Sequence, residues 1–471
     1  MKYIYNILVI VCLSFSIQAK TGICVNEKPL KITVKVKNYS NDTLQIGYYF
    51  GDKQYLVPDK KTESDILIKQ PNGTFVFNTT DALEPGIYFI LFKPDNNYID
   101  FIVPQNLNRG MDITLDFNAL QKSISVQGDD NENKYLYEHL NYLNTKRELS
   151  ETLTKNEDRE GLNRLSQEVE KFQFDFIKKY SNTIAAAVVR SNINIKTPDY
   201  EGSKEEVRYK TWQYYKEHYF DNLDLKNPAL LRTPFLYNKI NYYVKKLTVQ
   251  HPDSISKSID LILNKMKPAE NTFKYYVIHF LNTYAKSKFI GMDSVYVHMV
   301  DNYYANGLAY WTDKQQLETI IRNANDLKPI LVGKVAPNLK LEQKNGIQFN
   351  LHDLNSKYIV LFFYQEGCTY CKNAAEQFKT DFEKLAALDV DIVSISVIPS
   401  TTELWDYVDS NFLNQWINAS ITSETDPDFI KYKVERIPEL FVLDKNKRII
   451  SKKLSSQQVL ELMQEIAQTK E

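Results

Sequence analysis

Glycine is scarce in this 471-residue chain, at 14 positions, and cysteine is scarcer still, at four. Few glycines exclude collagen-like and glycine-rich low-complexity structure. Four cysteines exclude a disulfide-stapled scaffold, so folding must rest on packed apolar cores. An excess of one charge is also missing: 58 lysines and arginines face 59 acids. No basic block stands out, which argues against a nucleic-acid binder. Beyond the N-terminus no segment is apolar enough to span a bilayer, which takes ~20 residues. What the chain does have is 43% hydrophobic content and 32 tyrosines. That composition can bury a core in each of the two to four domains its length allows.

The N-terminus reads Met1-Lys2-Tyr3-Ile4-Tyr5-Asn6, then Ile7-Leu8-Val9-Ile10-Val11-Cys12-Leu13. A lone positive charge before a short apolar run predicts a secretory signal peptide over residues 1–19, cleaved after Ala19. A retained anchor is the alternative, but the run from Ile7 to about Ile17 is short for a spanning helix. The mature chain is therefore expected to be soluble and exported, to the periplasm or cell envelope. Cys12 leaves with the signal. Before Cys24, Thr21-Gly22-Ile23 lacks the leucine and small-residue pattern of a lipid-modified site, and Lys20 interrupts the apolar approach. A free thiol is expected at Cys24 rather than a lipid anchor.

Three regions follow. Residues 28–128 read as an all-β, sandwich-like module. Leu30-Lys31-Ile32-Thr33-Val34-Lys35-Val36 alternates strictly, as a half-buried strand does. Further strands are expected at 44–50, 65–69, 74–78, 87–92, 98–103, 112–117 and 123–127, separated by turns such as Gln70-Pro71-Asn72-Gly73. Residues 131–328 read as an all-α module. Its periodic stretches are 131–154, 158–180, 203–220, 253–266, 272–288 and 313–327, punctuated by prolines. Tyr209, Trp212, Tyr215 and Tyr219 recur at helical spacing there, read as core rather than a ligand groove. Residues 331–471 alternate strands and helices and form an α/β domain. The expected fold is thus multidomain, with β-sandwich-like, helical and α/β parts in that order.

The α/β region carries the chemistry. Cys368-Thr369-Tyr370-Cys371 follows the apolar run Tyr358-Ile359-Val360-Leu361-Phe362-Phe363-Tyr364, which reads as a buried strand. After it, Ala375, Phe378, Phe382 and Leu385 mark one helix face. The two thiols therefore lie at a strand-to-helix junction. Helix-end N–H groups favour an anion there, and the thiolate is the form that attacks disulfides. Cys368 is the expected nucleophile on a substrate disulfide, and Cys371 the resolving thiol. A zinc half-site would need two more soft ligands, and the six histidines form no cluster with cysteine. An inert structural disulfide is a further alternative, though so short a loop is a poor staple. No metal and no separate cofactor are expected; the redox group is the Cys368–Cys371 disulfide itself.

Ile437-Pro438 precedes the expected strand at 440–444, a place where proline is tolerated and its peptide bond can be cis. Strand, C-x-x-C, helix, strand, Ile-Pro step, hairpin and final helix together resemble the thioredoxin fold. The opening Val332-Gly333-Lys334-Val335-Ala336-Pro337 resembles the redoxin branch, specifically the exported TlpA/ResA-like thiol-disulfide oxidoreductases. The whole layout resembles Bacteroidetes envelope proteins with a β and a helical module before such a domain. The resemblance implies that Pro438 is a cis-proline beside the cysteines and that Ile437 meets the substrate backbone. Thr369 and Tyr370 become the dipeptide that tunes the potential. Implied partners are protein disulfides and, as electron donor, a membrane-side thiol reductase; no nucleic acid is implied.

Several positions depart from the family. Gly367 replaces the tryptophan before the first cysteine, Phe362 the buried acid, and Ala374 the TlpA/ResA-like glutamate. Glu376 falls on another helix face, and Glu366 is read as a loop acid. Two other functions compete. A peroxidase-like redoxin would need P-x-x-x-T-x-x-C, whereas Gln365 stands three before Cys368 and no proline stands seven before. An envelope binding protein with an auxiliary or redox-inactive thioredoxin-like domain is the non-enzymatic alternative.

Overall fold

The computed structural model describes residues 30–468 except 106, 108, 109, 129, 130 and 413. The expected signal peptide, Cys12 and Cys24 lie outside the described residues. Among these residues the chain divides into two compact units, one of 30–250 with 257–276, the other of 251–256 with 277–468.

In the first unit nine strands form two sheets. They are β1 (Leu30–Lys37), β2 (Thr43–Phe50), β3 (Lys53–Leu56), β4 (Leu67–Ile68), β5 (Thr74–Thr79), β6 (Gly86–Phe92), β7 (Asn97–Val103), β8 (Met111–Asp116) and β9 (Ser125–Gln127). One sheet runs β5-β1-β8-β9, with β1 and β8 parallel; the other runs β3-β2-β6-β7, with β4 on β2. Alternation sends Ile32, Val34 and Val36 inward while Lys31 and Lys35 face solvent. Those residues meet Leu44, Ile46, Phe75, Phe77, Ile90 and Phe92 in one core drawn from both sheets, which makes a sandwich. The stretch expected as a strand at 65–69 shrinks to β4, and β3 is a hairpin partner of β2 that its polar sequence conceals.

Asp100 of β7 sits half-buried, its carboxylate accepting the Tyr49 hydroxyl at 3.0 Å. Burial raises its pKa to about 6, against a partial offset from that hydrogen bond. A raised carboxyl contributes stability that is full below its unfolded value and lost as pH rises through the folded one. Asp100→Asn is therefore expected to gain on wild type between pH 4 and pH 7, by about 3 kcal/mol. Urea melts at the two pH values check this; a constant difference contradicts it.

The helical region contains Glu132–Lys155, Arg159–Lys179, Ile184–Ser191, Lys204–His218, Leu236–Tyr242, Pro252–Met266, Glu270–Ala285, Asp293–Met299 and Lys314–Leu327. Local chemistry starts them where the sequence suggests. Ser203 and Glu206 form a reciprocal capping box, and Asp158 and Asp313 cap their helices through side-chain oxygens. The short helices Ile184–Ser191, Leu236–Tyr242 and Asp293–Met299 are additions to the expected set.

In the second unit the C-terminal sheet has β10 (Lys340–Glu342), β11 (Gln348–Asn350), β12 (Tyr358–Tyr364), β13 (Val390–Ser396), β14 (Ile417–Ile421), β15 (Glu439–Asp444) and β16 (Ile449–Lys452). Their order is β11-β10-β14-β13-β12-β15-β16. β12 is parallel to β13 and antiparallel to β15. It is buried along its whole length, which is why it reads as an unbroken apolar run. Val360, Phe362 and Tyr364 face one core, shared with the helix Thr369–Ala386; Ile359, Leu361 and Phe363 face a second. Ser455 and Gln458 cap the last helix, Ser456–Gln468, reciprocally, as the sequence predicts. The molecule has the expected three-part fold: N-terminal β-sheets, a helical region and a C-terminal α/β thioredoxin-like domain.

Candidate active site

Cys368 is the N-cap of the helix Thr369–Ala386, and its Sγ accepts the Cys371 N–H at 3.1 Å. The two sulfurs are bonded, with Cα atoms 5.2 Å apart. Cys368 is half-buried, whereas Cys371 has no exposed surface. The expected asymmetry between an approachable thiol and an inner one is therefore built into the helix start. Thr369 is exposed, and Tyr370 is 76% exposed beside the disulfide.

Gly367 explains one departure from the family. Its φ is +75°, and nothing stands within 4 Å of where a Cβ would be. The chain turns into the helix through a left-handed residue, so space is not the obstacle to a side chain; backbone strain is. Gly367→Ala is expected to cost about 1–2 kcal/mol in a denaturant melt. An unchanged midpoint contradicts that account.

The register of β12 with β15 brings the second motif to the first. Phe363 pairs with Glu439, so Pro438 enters β15 opposite the end of β12. The Ile437–Pro438 bond is cis. The Ile437 carbonyl oxygen lies 4.0 Å from Cys368 Sγ. Two segments nearly 70 positions apart in sequence thus meet at one sulfur.

The acids are placed otherwise. Phe362 is fully buried against Phe378, with ring centroids 5.5 Å apart, so an apolar ring stands where the resemblance implies an acid. Ala374 is buried at the glutamate position. Glu376 is exposed and pairs with Lys379 at 2.8 Å, and Lys372 is exposed. Glu366 is half-buried and its charge raises the pKa of Tyr364 and Tyr407, behind the larger effect of their burial. Glu439, immediately after Pro438, has its pKa raised by burial, with Lys453 and Lys452 partly opposing. It shares the β12 face of Phe363, away from the cysteine helix. Sequence reasoning missed Tyr364, Tyr407 and Glu439; the available signal was Tyr364 ending the strand that leads into the cysteines.

Among the described residues no group of three or more His, Cys, Asp or Glu is placed to hold a metal ion. No described helix is long and apolar enough to cross a membrane. A cavity of about 350 Å³ in the first unit lies beside Glu132, Asn182 and Arg190. Glu132 already caps the helix Ile184–Ser191 by accepting the Ile184 N–H at 2.8 Å.

The C-terminal sheet, with a disulfide at the junction of β12 and the helix after it, has a thioredoxin-like layout. Residues 332–452 match the AhpC/TSA family, and residues 202–325 match a family described only as a domain of unknown function (DUF5106). The chain is 26% identical over 120 residues to the thiol-disulfide oxidoreductase ResA of Bacillus subtilis, across 25% of this chain and 64% of that protein. It is 38% identical over 68 residues to the peroxiredoxin Bcp of the same organism, across 14% of this chain and 43% of that protein. The chain thus spans less than two thirds of each of these relatives. A thioredoxin-like protein from Bacteroides caccae aligns with 58% of this chain and 99% of its own, at 18% identity and a TM-score of 0.42. The likeness to ResA agrees with the TlpA/ResA-like resemblance of the sequence.

Proposed function

We propose that this chain is an exported protein thiol-disulfide oxidoreductase of the periplasm or cell envelope. The observation that carries the proposal is the Cys368–Cys371 disulfide at a helix N-terminus, its outer sulfur beside the Ile437–Pro438 carbonyl. In the reduced enzyme the Cys368 thiolate attacks one sulfur of a protein disulfide. A mixed disulfide forms and the other client sulfur leaves as a thiolate. Cys371 then attacks Cys368 Sγ, releases the second client sulfur and restores the internal disulfide. A membrane-side thiol reductase returns the two electrons. Ile437 and Pro438 hold the client backbone, and Thr369 and Tyr370 set the potential.

Cys371→Ser should trap the intermediate. In cells the variant is expected to accumulate dithiothreitol-sensitive conjugates with exported proteins. No conjugates, or equal amounts in C368S/C371S, would sink the proposal.

The AhpC/TSA match and the likeness to a peroxiredoxin favour a second reading, a peroxidase. Gln365 and Leu361 occupy the places of the threonine and proline of the peroxidase signature. Peroxide consumption by the purified chain separates the two readings, and the oxidoreductase account predicts none above background.

A further inference from the structure

The loop 286–292 leads into the helix Asp293–Met299 and contains Lys286-Ser287-Lys288-Phe289-Ile290. Phe289 is 80% exposed, the most exposed large apolar side chain among the described residues. Ile290 beside it is 47% exposed. The loop is nonetheless held in place. Gly291 is buried at a φ of +80°, the Met292 N–H donates to the Phe289 carbonyl at 3.3 Å, and the Met292 side chain is buried. A Cβ placed on Gly291 would meet Pro252 at 3.6 Å and Val332 at 3.9 Å. Val332 is exposed, and so is Val335, which bridges to Arg448. Apolar side chains thus reach water in adjoining segments of the second unit, on backbone that does not swing them inward. Such exposure marks an interaction surface.

The charges beside it name the occupant. Lys286, Lys288, Lys334 and Arg448 are all exposed, and none forms an ion pair among the described residues. The Arg448 guanidinium donates to the Gly333 carbonyl at 3.1 Å and keeps its charge without a counter-ion. The same segments hold two acids. Asp293 is taken up by Lys452 at 2.5 Å, and Asp253, next to Pro252, has His251 at 3.8 Å. An acidic protein surface would answer the cations and leave the phenyl ring without a counterpart. An anionic bilayer answers both. Its headgroups attract lysine and arginine, while Phe289 and Ile290 enter the boundary of the acyl chains. The aliphatic stems of the lysines lie along that boundary with their ammonium groups in water.

We propose that Phe289 and Ile290, with the cations Lys286, Lys288, Lys334 and Arg448 beside them, form a peripheral docking surface for an anionic lipid bilayer. The surface needs nothing from the disulfide. In an exported chain it would hold the redox domain at the membrane, where a membrane-side electron donor is found.

The test uses the chain from Lys20 onward, as the expected cleavage leaves it, so that the apolar run before Ala19 takes no part. Binding is read by co-sedimentation with vesicles of phosphatidylcholine alone and of phosphatidylcholine with phosphatidylglycerol, roughly three to one. Wild type should bind the anionic vesicles and leave the neutral ones, and binding should fade toward ~1 M salt. F289S/I290S should bind about tenfold more weakly. K286Q/K288Q should lose about fivefold per lysine at low salt. Both variants should melt with wild type, because the exchanged side chains face solvent. No binding by wild type, or equal binding by F289S/I290S, overturns the proposal. A loss confined to K286Q/K288Q would point to an acidic macromolecule instead and overturns it too. So does a variant that no longer folds, since its side chains would then be structural. A chain that binds these vesicles yet never reduces a disulfide keeps this surface and loses the oxidoreductase reading.

Discussion

Cys368→Ser is expected to reduce insulin-disulfide reduction to the uncatalysed background. The half-buried sulfur is the one beside Ile437 and Pro438, and the inner sulfur is closed off from solvent. A serine hydroxyl at the same helix start is not ionised near neutral pH and cannot form the mixed disulfide. Loss of fold is a poor alternative explanation for the lost activity. The loop between the cysteines is so short that losing its cross-link should cost no more than about 2 kcal/mol. The measurement is turbidity of reduced insulin, with a parallel melt. Activity retained in a folded C368S variant would remove Cys368 from the chemistry.

Asp293→Ala is expected to destabilise the second unit by about 3–5 kcal/mol. Lys452 on β16 is buried to 3% exposure, and its Nζ lies 2.5 Å from Asp293 Oδ2 at the start of the helix Asp293–Met299. Burial lowers the lysine's pKa, and Asp293 works against that shift. Without the aspartate the buried charge would lose its direct partner and keep only the smaller attraction of Glu439. Adding Lys452→Met should recover most of the loss, because an apolar side chain of similar length needs no partner. Denaturant midpoints of the two variants decide. A cost below about 1 kcal/mol for Asp293→Ala would mean that water already serves the lysine.

Most of the site was legible in the sequence because its parts are short and chemically unusual. The unbroken apolar run of β12 announced a central strand, and two cysteines one turn apart announced the junction after it. Ile437-Pro438 was legible for the same reason, since a proline opening a strand has few places to go. The neighbours were not legible. β14 carries Asn418 and Ser420 among its apolar residues, because Ser394 of β13 donates to Asn418 at 2.6 Å inside the sheet. That half-buried polar pair breaks the pattern by which a parallel strand is recognised. The helix Thr402–Asn411 is short and largely polar, and its cap, Thr401 accepting from Leu404, resembles any loop threonine. Lys452 reads as a surface residue, because the carboxylate that makes its burial tolerable lies more than 150 positions earlier in the chain.

Equilibration of the purified chain across glutathione buffers, with acid quench and alkylation of Cys368 and Cys371, bears most directly on the central claim. The account predicts one reversible two-electron transition of this pair, with a midpoint between about −270 mV and about −120 mV. A pair that stays oxidised in every buffer, with Cys368 never alkylated, would contradict it.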